Sequence, residues 1–184
     1  MLRVDEKPSI QALERKTGYV DTSRRKVVRG LKSTDKRHGT LHLFAALNVA
    51  TGAIQSKTTT TKKRPDFQAF MDKVMTDIPE DPHVHVIPDN DSTHKKNEDG
   101  LAKPPNVHFH FTPTSASWLN QVELWFGLFS RKTLSGASVT STAQRVEAIQ
   151  AFISSCNQSP ASFVWRKREV KGSQLRNTVV NLCN

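Results

Sequence analysis

Cysteine is nearly absent from this chain: among 184 residues there are two, Cys156 and Cys183. That excludes a disulfide-stapled scaffold and a cysteine-based zinc cluster, and it fits two free thiols in a reducing compartment. Long apolar runs are also missing. No stretch approaches the roughly 18–20 consecutive apolar residues that a membrane-spanning helix requires. The opening Met1-Leu-Arg-Val-Asp5 lacks the layout of a secretory signal. There is no internal repeat and no low-complexity tract. Acidic residues are in short supply, with 17 Asp and Glu against 27 Lys and Arg, for a formal net charge of +10.

The excess of positive charge is partly concentrated. Arg15, Lys16, Arg24, Arg25, Lys26, Arg29, Lys32, Lys36 and Arg37 fall in one stretch, with Glu14, Asp21 and Asp35 as its only acids. A polyanion such as DNA is a natural partner for such a stretch. On charge alone, a solvated basic loop explains it equally well.

Hydrophobic periodicity predicts an α/β chain with a mixed sheet flanked by helices. Leu2–Val4 reads as a short strand. Glu14–His38 reads as a polar loop with a short hairpin through Tyr19–Thr22 and Lys26–Arg29. Thr40–Val49 is a largely apolar strand, turning at Ala50-Thr-Gly52 into a partner strand, Ala53–Lys57. Thr58–Arg64 reads as a loop whose basic end touches phosphate. Pro65 opens a helix carrying Phe67, Phe70, Met71, Val74, Met75 and Ile78 on one face. His83–Ile87 and Val107–Thr112 are further strands, with a polar segment between them. A helix beginning near Ser117 has an apolar stripe of Trp118, Val122, Trp125 and Phe129, with Asn120, Glu123 and Gly127 opposite. Ser141-Thr-Ala-Gln144 is a capping box for a last helix with Val146, Ile149, Phe152 and Ile153 inward.

Three acids stand where rigid elements hold them. Asp5 and Asp89 each follow a strand, and Glu123 lies on the anchored helix. Phosphodiester cleavage by two divalent ions needs two or three carboxylates held in this way, because Mg²⁺ takes oxygen ligands and keeps several waters. If the first and fourth strands are parallel neighbours, Asp5 and Asp89 stand side by side. Each acid taken singly is more often a turn residue or a solvated side chain. Other motifs have plainer readings. His83/His85 and His108/His110 alternate on two strands, so each pair shares a sheet face. With no cysteine at a suitable spacing, structural or solvent-facing histidines are favoured over a zinc site. Trp118, Trp125 and Phe126 are core residues rather than base-stacking platforms, and Ser115 and Ser117 suit helix capping rather than a nucleophilic triad.

The runs Asp5-Glu-Lys, Arg37–Gly52, Asp89-Asn-Asp-Ser-Thr-His-Lys95 and Phe109–Phe126 together resemble the catalytic domain of IS630-type transposases, in the IS630/Tc1/mariner group of DDE recombinases. The resemblance continues through Phe163-Val-Trp-Arg-Lys167, and Thr112–Glu123 is its most specific part. It implies an RNase H-like fold over 1–184 as a single catalytic domain, lacking the N-terminal helix-turn-helix region usual in the family. It also implies two Mg²⁺ or Mn²⁺ ions on Asp5, Asp89 and Glu123, with Glu123 following Asp89 by 34 positions. Asn90, His94, Lys95 and Asn120 match supporting positions of the motifs. The implied activity is phosphodiester hydrolysis at transposon ends followed by 3′-OH strand transfer into target DNA. The implied setting is a bacterial cytoplasm, at the nucleoid, with transposon terminal repeats and target DNA as partners. A homodimer and a separate chain supplying DNA recognition complete that picture, and no membrane enters it. Arg24, Arg25, Lys26, Arg29, Lys32, Lys36 and Arg37 are the candidate DNA contacts. Pro88 and Asp91 depart from the family pattern. Pro88 removes a backbone donor beside Asp89, and Asp91 adds negative charge near the metals. They leave open a second reading, a catalytically decayed DNA-binding module.

Overall fold

The computed structural model describes residues 1–21, 27–77, 83–88, 106–111 and 120–162, with side chains described throughout these except in 16–21 and 27–34. Five strands form one sheet: β1 (Leu2–Asp21), β2 (Val27–Asn48), β3 (Ile54–Thr59), β4 (Val84–Pro88) and β5 (Val107–Phe109). Their order across the sheet is β3-β2-β1-β4-β5. The first three are antiparallel neighbours, and β4 and β5 run parallel to β1. This is the RNase H-like arrangement that the family resemblance implies.

The largely apolar run Leu41–Leu47 of β2 lies between β3 and β1, buried on both faces, as expected of a strand covered from both sides. Its alternate residues serve two cores. Phe44 and Ala46 pack with Val4, Val86 and Val107 against α1 (Arg64–Thr76), through Phe67, Phe70, Met71 and Val74. Leu41, Leu43, Ala45 and Leu47 face the other way. They meet α2 (Gln121–Phe129) through Val122, Trp125, Phe126 and Phe129, and α3 (Thr142–Gln158) through Ile149 and Ile153. The first and last helices start where the chain predicts. Pro65 sits in the first turn of α1, and Asp66 accepts the Lys63 backbone N–H at 3.0 Å. Ser141 caps α3 by accepting from Gln144 N at 3.1 Å. Past α2 the chain makes a π-helical turn, Ser130–Leu134.

The β2–β3 turn is where expected. Asn48 Oδ1 accepts from Ala50 N at 3.0 Å, and Gly52 takes φ +80°, where an added Cβ would stand 2.2 Å from the Ala161 carbonyl oxygen. The outer edge of β3 is covered from α3. Asn157 exchanges two 2.8 Å hydrogen bonds with the Ile54 backbone, which blunts an exposed strand edge.

Glu14–His38 contains the predicted hairpin, with Tyr19 paired to Arg29 and Asp21 to Val27, but the segment around it is strand and not loop. β1 and β2 pair continuously from Leu2↔Asn48 out to Asp21↔Val27, a long hairpin whose distal part is a two-stranded ribbon. Leu2–Val4 is thus the start of a 20-residue strand rather than a stub. The sequence of this ribbon carries no sustained apolar alternation, so periodicity does not betray it. Register shifts fall between Lys7 and Ile10, Ala12 and Leu13, and Arg15 and Thr17. The first holds Pro8, which has no N–H to donate, and Ser9 at φ +56°.

Phe70 is fully buried and its ring stacks on Phe44 at 5.8 Å, joining α1 to β2. Phe70→Ala is expected to lower stability by about 3–5 kcal/mol in denaturant unfolding. A loss under about 1 kcal/mol would mean that α1 is not seated on the sheet in this way.

Candidate active site

Asp5 lies on β1 opposite Ala45, so its side chain points to the face of the sheet covered by α2. It is only 4% exposed, and its Oδ1 accepts from Glu6 N at 2.8 Å. Glu6 points to the other face, where Lys62 forms an ion pair with it. That pairing answers the expectation for the Thr58–Arg64 segment: Lys62 contacts a carboxylate of this chain.

The parallel pairing of β1 with β4 runs Leu2↔Val86, Arg3↔Ile87 and Val4↔Pro88. It therefore ends on the residues that immediately precede Asp5 and Asp89. Pro88 is the last residue of β4 and is buried, a terminal position where the missing N–H costs least within a central strand. Asp89 itself lies outside the described residues, as do Asn90, Asp91, His94 and Lys95.

Asn120 organises the opposite side of the site. It is the N-cap of α2, with φ −80° and ψ 110°, and it is completely buried. An N-cap asparagine ordinarily accepts from its own helix. This one makes no side-chain cap and instead donates Nδ2 to the Val4 carbonyl at 3.1 Å. The start of α2 is thereby joined to β1 at the residue before Asp5. Its Oδ1 is buried without a hydrogen bond from the described residues. Glu123 begins the next turn, its N–H donating to Asn120 O at 3.1 Å. Unlike Asn120, it is exposed. A carboxylate in the first turn of a helix is favoured by the macrodipole. The expected shared helical face for Asn120 and Glu123 is corrected here: Asn120 precedes the helix and points inward to the strand. The helix starts at Gln121 rather than Ser117, and Trp118 lies outside the described residues.

One buried carboxylate, one exposed carboxylate and an orphaned amide oxygen are all hard oxygen donors, the set that suits Mg²⁺ or Mn²⁺. Among the described residues no group of three or more His, Cys, Asp or Glu is placed to hold a metal ion, and the third acid of the expected triad is not among them. No helix among them is long and apolar enough to cross a membrane.

The basic stretch is distributed differently from expectation. Arg24, Arg25 and Lys26 lie outside the described residues. Arg29 and Lys32 are on β2 where side chains are not described, and Lys36 and Arg37 are exposed on the same strand. Arg15 is drawn toward Asp35, Nε to Oδ2 at 4.0 Å. Arg145, in the first turn of α3, is 2% exposed. Sequence reading passed over it, because nothing in its helical position marks a cation as buried.

The four histidines share one exposed sheet face. His83 Nδ1 lies 3.0 Å from His108 Nε2, and His85 Nδ1 lies 2.9 Å from His110 Nε2. Within each pair one ring N–H donates to the other ring's unprotonated nitrogen. The pairs stack into a ladder, with ring centroids 5.0–5.4 Å apart. Desolvation by its neighbours, together with three other imidazoles and the N-terminal amine, holds the pKa of His85 below the usual histidine value.

Two outcomes follow. Because the folded-state pKa of His85 is depressed, its contribution is intact above the unfolded value of about 6.5 and is lost as pH falls through the folded value. Stability should therefore drop on acidification below about pH 6.5, and His85→Gln should shallow that drop; identical profiles for the two proteins would refute the ladder. Asn120→Ala should cost about 1–3 kcal/mol in urea unfolding through loss of the buried donor to Val4. An unchanged midpoint would show that this hydrogen bond does not form.

None of the curated proteins compared with the chain matches it. A chain in the cryo-EM structure of the simian T-cell lymphotropic virus intasome in complex with PP2A regulatory subunit B56 gamma is similar at TM-score 0.46 and 8% identity, over 86% of this chain and 58% of that one. A family model described as DDE superfamily endonuclease matches residues 1–147, which take in β1, β4, α2 and the start of α3. By that match the chain belongs to the DDE superfamily endonucleases.

Proposed function

We propose that this chain is the catalytic domain of an IS630-type DNA transposase, in which Asp5, Asp89 and Glu123 hold two Mg²⁺ or Mn²⁺ ions. The observation that carries the reading is the Asn120 Nδ2–Val4 O hydrogen bond. It ties the helix bearing Glu123 to the strand bearing Asp5. The parallel β1–β4 pairing supports it, by bringing the residue before Asp89 beside the residue before Asp5.

The reaction is attack of water on a phosphodiester at a transposon end, followed by attack of the freed 3′-OH on a phosphodiester of target DNA. No covalent bond to the protein forms in either step. Bound divalent ions supply activation of the attacking oxygen and stabilisation of the leaving one. The chain's own residues supply position. Asp5 is fixed by its bond from Glu6 N and by burial on a central strand. Glu123 is exposed on a helix whose start is pinned, so its carboxylate faces outward from a rigid base. Asn120 Oδ1 is free to accept a hydrogen bond from a water at the site. Asn90, His94 and Lys95 complete the proposed site as residues that orient Asp89 or contact a phosphate. The exposed Lys36 and Arg37, with the other cations of the β1–β2 hairpin, are the proposed contacts to the DNA backbone.

Glu123→Gln tests the assignment cleanly, because an exposed side chain contributes little to stability. With a pre-nicked terminal-repeat duplex and Mn²⁺, nicking and strand transfer should fall by at least about 10²-fold while the unfolding midpoint stays in place. Nicking by the variant at the wild-type rate would remove Glu123 from the site. Salt-sensitive DNA binding by the wild type, without cleavage and without response to Mg²⁺ or Mn²⁺, would establish the decayed DNA-binding module instead.

A further inference from the structure

A second polar site lies farther along β1. A cavity of 260 Å³, open to solvent, is lined by Lys7, Ser9, Ile10, Arg15, Leu134 and Arg145 among its residues. Three of its wall residues are cations, and two of these are poorly satisfied. Arg145 is 2% exposed, yet its guanidinium has one hydrogen bond, Nη1 to Thr133 O at 3.2 Å, and its Nε is buried with no partner among the described residues. Arg15 Nε is likewise buried without a hydrogen bond, and the Asp35 carboxylate 4.0 Å away is beyond hydrogen-bond distance. The two guanidinia also oppose each other: burial and then the charge of Arg15 disfavour the protonated form of Arg145.

Position makes the arrangement costlier still. Arg145 stands in the first turn of α3, where the helix macrodipole disfavours a cation. The cavity rim includes Ser9 at φ +56°, a strained backbone at the bulge between Lys7 and Ile10. Buried charge without a counter-ion, like charges side by side and a cation at a helix N-terminus are each unfavourable in an empty pocket. Each becomes favourable around a bound anion.

We propose that this cavity is a phosphate-binding site that holds a backbone phosphodiester of DNA, flanking the carboxylate centre. The inference rests on the transposase reading for the identity of the ligand. Guanidinium forks match phosphate oxygens in pairs, and a compact ammonium adds a point charge. Lys7 lies on the same face of β1 as Asp5, two residues farther on, about 7 Å along the strand. A DNA strand with its reacting phosphate at Asp5 therefore has a neighbouring part of its backbone within reach of the cavity. Arg145, Arg15 and Lys7 are positioning residues in this scheme, acting on DNA placement and not on the reacting atoms.

The test uses the full chain, with Arg145→Met keeping the buried stem volume and Lys7→Gln as a milder variant that leaves the buried guanidinium in place. In the first arm, thermal unfolding is followed with inorganic phosphate against chloride at matched ionic strength. The wild-type midpoint should rise more with phosphate than that of either variant; because bulk salt effects on hydration are common to all three proteins, only a site explains a difference. In the second arm, binding of a labelled duplex is measured across salt concentrations. Each variant should weaken binding about five- to tenfold at 0.1 M salt and reduce the slope of log K against log salt by about 0.9, the loss of one phosphate contact. Loss in both arms supports the proposal. A phosphate effect with an unchanged DNA slope would assign the cavity to free phosphate and overturn the DNA contact. No difference in either arm would overturn the site altogether. If the wild type binds no DNA while the phosphate effect persists, the transposase reading fails and takes the DNA contact with it, leaving an anion pocket of another purpose.

Discussion

The hydrogen bond from Asn120 Nδ2 to Val4 O joins the two halves of the candidate site. It links residues 116 positions apart in the chain, with the Asn120 side chain wholly buried. A buried amide of this kind is worth having only if both ends are well placed, since an unmet donor in the interior is costly. It thus fixes the height of α2 along β1 more sharply than the apolar contacts of Val122, Trp125 and Phe126 could. Those contacts hold the helix down but tolerate sliding. Asn120 gives up its usual capping bond to do so, and the helix N-terminus is left with Glu123 as the acidic group of its first turn.

Around that link the sheet keeps two distinct faces. Asp5 and Glu6 are adjacent and both largely buried, yet they meet different chemistry. Glu6 is paired with Lys62 on the α1 side, whereas Asp5 faces the α2 side, where its Oδ1 accepts from Glu6 N. Alternation along one strand is what separates them: a shift of one residue in register would exchange the two carboxylates between faces. The pairing of β1 with both β2 and β4 holds that register from two sides.

Much of this was legible in the chain. The apolar run Leu41–Leu47 and the stripe Phe67–Met75 carry their own periodicity and form as read, and Ser141 caps its helix as read, although the Gln144 side chain accepts from Thr140 N and so does not close the box. Asp5 at a strand and Glu123 on a helix were legible too, because an acid beside an apolar run is conspicuous. The length of the β1–β2 hairpin was not. From Leu13 and Arg37 outward the sequence of the two strands is mostly polar, so its pattern matches a loop. The start of α2 was also misplaced. Trp118 falls on the same apolar period as Val122 and Trp125, and periodicity has no means of signalling that Asn120 would leave the helix to reach a strand far away in sequence.

Net charge was legible as a number and silent as a map. The +10 excess resolves into cations in quite different states. Lys62 is consumed by a buried glutamate, Lys36 and Arg37 stand in solvent on β2, and Arg145 is enclosed beside Arg15. Only the last arrangement is expensive for the protein on its own. Exposed lysines and arginines are solvated at little cost, so they say nothing about what the surface is for. A guanidinium shut away at the unfavourable end of a helix, next to another guanidinium, is stable in the fold only because the rest of the core holds it there. Such local conflict between a residue and its surroundings is where function is most readily found in an otherwise consistent structure. In this chain the cavity that encloses it is also lined by Lys7, which shares a face of β1 with the buried Asp5 carboxylate.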